Sequence, residues 1–205
     1  MGKVIADLAS SAASATFNVE NATSSVDYVI SGTDGSANQI LKTDGSGNLS
    51  WVADSGGLFS AYAIFVDQKS QNTDGGTFTS GAWRQRDLNT TLANTDTTNI
   101  TLGTNEFTLL TGTYLIEWFP TAGGVTERTQ SALHDGTSNV ALGNSTYKYI
   151  DSGLASHGSA RITVSGTKTF TIQHQCESTI SGYGFGEGSN FDTEQYTMVK
   201  IFKEA

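Results

Sequence analysis

The chain has 205 residues, with 11 Lys and Arg against 20 Asp and Glu, a formal net charge of −9, and only 15% charged residues. The low charge fraction argues against a charged disordered tail. The 23 glycines argue against a helical protein, the acidic balance against nucleic acid as main partner, and the single cysteine, Cys176, against a disulfide framework or Cys-rich metal site.

The opening MGKVIADLASSAASATFNVE lacks the apolar core of a secretory signal. Met1-Gly2 starts like a myristoylation site, but Ala6 stands where that motif needs Ser or Thr. No apolar run approaches the roughly 20 residues that span a bilayer. The expectation is a chain neither anchored in nor inserted into a membrane. Asn-X-Ser/Thr triplets at Asn21, Asn48, Asn89, Asn99 and Asn144 are no surprise in so Ser/Thr-rich a chain.

Residues 1–57 carry few aromatics (Phe17, Tyr28, Trp51) and cannot build a core of their own. Short extended pieces, TFNV, YVI, QILKT and LSWV, alternate with glycine turns, and TDGS recurs at Thr33–Ser36 and Thr43–Ser46. This segment reads as a stem that orders only against copies of itself, the alternative being a flexible acidic linker. Residues 58–205 have strong strand character. LFSAYAIFVD is followed by a polar loop and TFTSGAWRQRDL. TNITLGTNEFTLLTGTYLIEWFP holds two strands about a turn at Leu110–Thr113, with Tyr114, Ile116 and Trp118 on one face and Leu115, Glu117 and Phe119 on the other. TERTQSALHDGTSNVALG is a strand pair joined at Asp135–Asn139. SARITVSGTKTFTIQHQC reads as a hairpin about Ser165–Thr167. QYTMVKIFK closes with Tyr196, Met198 and, after a change of face or a bulge, Ile201 and Phe202. Many short strands at regular spacing predict an all-β sandwich or jelly roll.

FTLLTGTYLIEWFPT resembles the central strand pair of C1q/TNF-like jelly rolls, SGTKTFTIQHQC their later hairpin, and YTMVKIFK their last strand. FVDQKSQNTDGGTFTSGAWRQRDLNT resembles the opening of C1q-like modules in bacteriophage structural proteins. GTDGSANQILKTDGSGNLSWV is similar to a short module of phage tail-fibre proteins. With no Gly-X-Y repeat and only Pro120, a collagen stem is excluded. The resemblance implies a homotrimer in a virion, assembled in the host cytoplasm: residues 1–57 an attachment and interwound stem region, residues 58–205 a jelly-roll head. Head binding to a host-surface carbohydrate or protein is the expected function. The alternative is a capsid decoration protein, a cement or head fibre, that grips the major capsid lattice through its N-terminal segment. In either case residues 1–30 dock onto another virion protein, with Val4, Ile5, Leu8, Phe17 and Val19 as the apolar contacts.

Catalysis finds little support. His134, His157 and His174 lack metal spacing, and no G-x-S-x-G elbow is present. His174 and Cys176 could form a dyad but read better as packed core groups. Glu187, Asp192 and Glu194 share one loop, a weak glycosidase signal. Calcium is conceivable at Asp44/Asn48, at Asp74 or at Asp135/Asn139, though Asp-Gly is also a common turn; no cofactor is expected. Gly182–Gly188, GYGFGEG, is either a mobile loop or a recognition loop presenting Tyr183 and Phe185. In a jelly roll entered at residue 58, the tight turns fall at the stem end. The long connections 67–76, 119–127, 143–158 and 177–193 fall at the free end, making Tyr147, Tyr149, His157, Tyr183, Phe185 and Phe191 the candidate receptor-binding residues.

Overall fold

The computed structural model describes residues 14–17, 28–31, 35–54, 57–124, 126–148 and 154–205. The chain divides into two compact units, Met1–Gly56 and Gly57–Ala205.

In the first unit β1 (Ser14–Phe17), β2 (Tyr28–Ser31), β3 (Gln39–Thr43) and β4 (Asn48–Ala53) form one sheet in the order β1-β2-β4-β3. The β2–β4 pair is parallel and the other two are antiparallel. The second TDGS is the β3–β4 turn. Asp44 Oδ1 accepts from the amides of Ser46 (2.7 Å) and Asn48 (3.1 Å), and Oδ2 accepts from Asn48 Nδ2 at 2.6 Å. Strands expected to order only against other copies therefore already pair within one chain. Ile40 and Leu41 nevertheless stay exposed.

The second unit contains β5 (Phe59–Lys69), β6 (Arg84–Gln85), β7 (Thr90–Asn94), β8 (Ile100–Leu102), β9 (Phe107–Leu109), β10 (Gly112–Ala122), β11 (Glu127–His134), β12 (Asn139–Leu142), β13 (Thr146–Lys148), β14 (Leu154–Ala155), β15 (Gly158–Val164), β16 (Lys168–Cys176) and β17 (Glu194–Glu204). One sheet runs β14-β10-β17-β5-β7, with β15 also on β10. The other runs β12-β11-β16-β9-β8, with β13 on β11 and β6 on β16. Every pairing in both is antiparallel. The unit is an all-β sandwich of two antiparallel sheets.

Strict alternation builds it. On β10 Tyr114, Ile116 and Trp118 are buried while Leu115, Glu117 and Phe119 are only half-buried. Their inward faces meet Phe65, Phe107, Leu109, Leu133, Phe170, Ile172, Val199 and Ile201 in a single core. Trp118 is its largest member. Its Nε1 donates to Ser131 Oγ at 2.8 Å, and Ser131 Oγ donates to the Ser156 carbonyl at 2.6 Å. Gly158 lies against the indole so closely that a Cβ there would overlap the ring.

Three sequence expectations are corrected. The stretch 99–119 holds three strands, because Gly103–Asn105 makes a further turn between β8 and β9, with Asn105 at φ 60°. The segment 158–176 is not a hairpin. β15 pairs with β10 and β16 with β11, so the turn at 165–167 carries the chain from one sheet to the other. On β17 the register shift lies between Gln195 and Thr197, before Met198. Met198 therefore joins Lys200 and Phe202 on the outward face, and Val199 and Ile201 take the core.

Truncating Trp118 to Ala removes the core's largest side chain and one of the hydrogen bonds of Ser131. A loss of about 3–5 kcal/mol in denaturant-unfolding stability is expected, checked by urea titration followed by tryptophan fluorescence and circular dichroism.

Candidate functional site at the loop end

The cross-strand registers fix two ends of the second unit. Phe59 pairs with Glu204, Tyr114 with Lys203 and Gly112 with Val164. The turns at 110–112 and 165–167 thus sit beside the start of β5 and the chain terminus. The turn Asp135–Ser138 joins them, since Asp135 Oδ2 binds Lys168 Nζ at 2.6 Å. The long connections fall at the opposite end, as the strand parity predicts.

The glycine-rich loop there is laced to its neighbours rather than loosely attached. Gly75 N donates to Gly186 O (2.8 Å), Gly76 N to Gly182 O (3.0 Å), Phe185 N to Gly76 O (3.0 Å) and Gly123 N to Gly184 O (3.0 Å). Gly186 has φ 146° and rests on the Tyr196 ring, where any side chain would clash. The glycines serve this close backbone packing.

Phe185 is half-buried and forms one layer of a stack: His174 against Phe78 (4.7 Å between centroids), Phe78 against Phe185 (4.6 Å), and the Arg86 guanidinium over Phe185 (4.1 Å). Arg86 is buried. Its Nε donates to Thr197 Oγ1 (2.9 Å), and Nη2 donates to the Phe185 (2.8 Å) and Tyr196 (3.2 Å) carbonyls. These oxygens offset part of the desolvation that lowers its pKa. His174 is fully buried, and neither ring nitrogen has a hydrogen-bond partner. Cys176 is buried as well, its Sγ 3.7 Å from the Phe78 carbonyl, and burial pushes its thiol up to about 11. The two share the inward face of β16 without bonding to each other, so no activated thiolate forms.

The other expected contacts lie apart. Phe191 is 90% exposed and Tyr183 is exposed on the same loop. His157 is exposed and sits edge-on to Phe119 at 4.9 Å, in a shallow hollow of about 360 Å³ with Glu117, Asn144 and Ser159. Tyr147, 59% exposed, flanks Arg128 on the outward face of the other sheet. Tyr149, Val4, Ile5, Leu8 and Val19 lie outside the described residues, and Phe17 is described only as a backbone position in β1.

Glu194 is engaged in structure rather than set against a second carboxylate. Its oxygens accept from Ser189 N (2.9 Å), Ser189 Oγ (3.1 Å) and Asn190 N (2.7 Å), bonds that hold its carboxyl below the usual range. Asp135 is likewise held low by Lys168, with further bonds from the Ser138 and Thr137 amides. Asp74 Oδ1 accepts from Gly188 N at 2.9 Å. At Asp44, Asp74 and Asp135 the carboxylates thus act as turn and loop acceptors. Among the described residues no group of three or more His, Cys, Asp or Glu is arranged to hold a metal ion.

Sequence reasoning missed the outward face of β11 and β16. Its largest groove, about 610 Å³, is bordered by Arg128, Gln130, Tyr147, Gln175 and Glu177. A second hollow of about 300 Å³ lies among Trp83, His134, Asn139 and Gln173. The signal was present in TIQHQC, whose period of two turns Gln173 and Gln175 outward when His174 and Cys176 face inward.

No protein-family model matches the sequence, and no curated protein is similar to it. Solved structures superpose on part of the chain. Murine APRIL at pH 5.0 superposes with a TM-score of 0.48 at 9% identity, over 70% of this chain and 98% of that one. Murine APRIL at pH 8.5 gives 0.44 at 9% identity, over 70% and 98%. The globular domain of zebrafish complement 1qA gives 0.42 at 16% identity, over 71% and 96%.

Burial, and secondarily the Arg86 charge, depress the His174 pKa well below 6.5, so the imidazole is neutral in the folded head. The unfolded chain takes up a proton below its ordinary pKa and the folded chain does not. Stability is therefore complete above pH 6.5 and falls as pH drops towards the folded pKa, by up to about 1.4 kcal/mol per pH unit. Denaturant melts from pH 7 to pH 5 are expected to show this slope, and His174→Leu to flatten it.

Proposed function

We propose that the protein is a non-enzymatic bacteriophage virion component, a short homotrimeric fibre whose head binds the host surface. In this reading residues 1–57 supply virion attachment and stem, and residues 58–205 the head. The phage-like segments at 32–52 and 65–90 support the setting.

The observation that carries self-association is the outward face of β5, β17 and β10. The registers lay out three cross-strand rows: Tyr62–Phe202–Leu115, Ile64–Lys200–Glu117 and Val66–Met198–Phe119, Val66 itself being already covered within the protomer. Two apolar rows flank one row holding an opposite charge pair. Phe59 extends the first, its ring 5.2 Å from Phe202. A sheet face this apolar suits burial against further copies, where Lys200 and Glu117 keep a charged partner. Burying it leaves the long-loop end and the other sheet free for a receptor. Three copies bring weak contacts together by avidity.

Phe202→Asp and Met198→Asp place charges in the two apolar rows. Sedimentation of the full chain is expected to give three times the protomer mass, and each variant to shift that towards the single chain with its β-sheet signal retained. A monomeric wild type overturns the trimer.

For the function itself, labelled protein is expected to bind whole host cells, to ignore an unrelated strain, and to compete with infection. Failure to bind cells, with association to empty capsids through the N-terminal segment, transfers the protein to the capsid-decoration class.

A further inference from the structure

We infer that the outward face of β11 and β16, on the side of the head, is a binding strip for an uncharged linear oligosaccharide. This deepens the adhesion reading and rests on it, while placing the contact away from the end loops.

The strip follows from alternation and register. On β16, Thr171, Gln173 and Gln175 face outward; across the ladder Gln175 pairs with Gln130, Gln173 with the small Ala132 and Thr171 with His134, and beyond Ala132 lies exposed Leu142 of β12. Along β16 and β11 these positions carry amides, a hydroxyl, a methyl and an imidazole, and no carboxylate, ammonium or guanidinium. Charges stand at the two ends, Arg128 and Glu177 bordering the larger hollow, and each is neutralised by a neighbour. Arg128 Nη1 meets Glu177 Oε1 at 2.7 Å, and Lys168 Nζ meets Asp135 Oδ2 at 2.6 Å.

An aromatic ring serves each hollow. Tyr147 borders the larger one and Trp83 the smaller. Their shared wall is β16. Gln175 lines one hollow and Gln173 the other, two residues apart on one face, or about 7 Å at strand spacing. The two hollows therefore form one track, suited to an extended chain rather than a single compact ligand.

The chemistry selects the occupant. A pyranose offers apolar C–H faces to aromatic rings and hydroxyls that both donate and accept, the complement of an amide side chain. A strongly anionic or cationic ligand finds no unpaired counter-charge along the strip. A protein partner needs an apolar interface centre, which the opposite sheet supplies in two rows of large side chains, while here the exposed aliphatics, Val140 and Leu142, stand only at the β12 edge. Gln130 Nε2 already donates to the Gly143 carbonyl (3.1 Å) and Gln173 Nε2 to Thr171 Oγ1 (3.1 Å), so these amides are held in place before any sugar arrives.

The test uses the full-length protein and three probes, maltotriose, cellotriose and chitotriose, by saturation-transfer NMR and calorimetry. Saturation of sugar protons by wild type is expected for at least one probe. Tyr147→Ala and Gln175→Ala are expected to weaken it roughly tenfold or more, with Tyr147→Phe retaining it. Gln173→Glu, which adds a charge without changing shape, is expected to weaken it comparably and guards against a folding defect at half-buried Trp83. No transfer from any probe overturns the strip, as does transfer unchanged in all three weakening variants. Whole-cell binding run in parallel separates the two claims. Cell binding that persists undiminished in the variants overturns the strip and leaves adhesion standing. Sugar binding without cell binding overturns adhesion and leaves the strip.

Discussion

The head depends on one constraint: its β5–β17–β10 sheet is apolar on both sides. Inward, Phe65, Ile116, Trp118, Val199 and Ile201 fill the sandwich. Outward, Tyr62, Leu115, Phe119, Met198 and Phe202 form rows that no other part of the unit covers completely. A sandwich gives each sheet a single partner layer. The second sheet can satisfy only one of these faces, so the other needs a partner of its own. The second sheet answers differently: β16 is apolar inward and carries Thr and Gln outward. The asymmetry between the sheets, more than any single residue, gives the head one side suited to its own kind and one suited to water or a polar ligand.

The same economy governs the loop end. There the sandwich opens, and the aliphatic core gives way to the layered rings of His174, Phe78 and Phe185 capped by Arg86. Aromatic layers fill the widening gap, and the guanidinium shares the Phe185 and Tyr196 carbonyls with the Thr121 hydroxyl. Glycines at 184 and 186 let the backbone approach this stack closely enough to be bonded to it. The cost is an imidazole shut away from water without a hydrogen bond, which ties the stability of the loop platform to its staying neutral. A rigid platform, in turn, is what allows exposed Tyr183 and Phe191 to keep a fixed presentation.

Alternation was legible in the sequence because it is a local property. TYLIEWFP gave away both faces of β10, and the strand parity gave the end at which each loop lies. Pairing was not legible. The segment SARITVSGTKTFTIQ looks like a hairpin because two strands flank a Ser-Gly-Thr turn, yet period two says which way a side chain points and nothing about which strand lies beside it. The bulge near Tyr196 was misplaced for a related reason, since a single inserted residue shifts the phase of everything after it. The packing of Phe185 was not legible either, because a glycine-flanked aromatic reads as exposed, and only the backbone bonds to residues 75–78, a hundred positions away, lay its ring partly against the core. The outward strip escaped notice because attention went to aromatics and charges, and glutamines in a strand announce nothing until their neighbours are known.

Adhesion without chemistry fits these materials. The carboxylates weighed as calcium ligands and the Glu194 carboxylate serve turns and loops, and the one thiol is buried with its pKa raised. The titratable groups best placed for chemistry are thus committed to holding shape. What remains available is surface: half-exposed amides, hydroxyls and a few rings on a fixed β scaffold. Such groups make weak individual contacts, because each sugar hydroxyl they bind must first be taken from water. Weak sites are useful when they are repeated and held rigidly, since the second and third contacts then cost little further translational freedom.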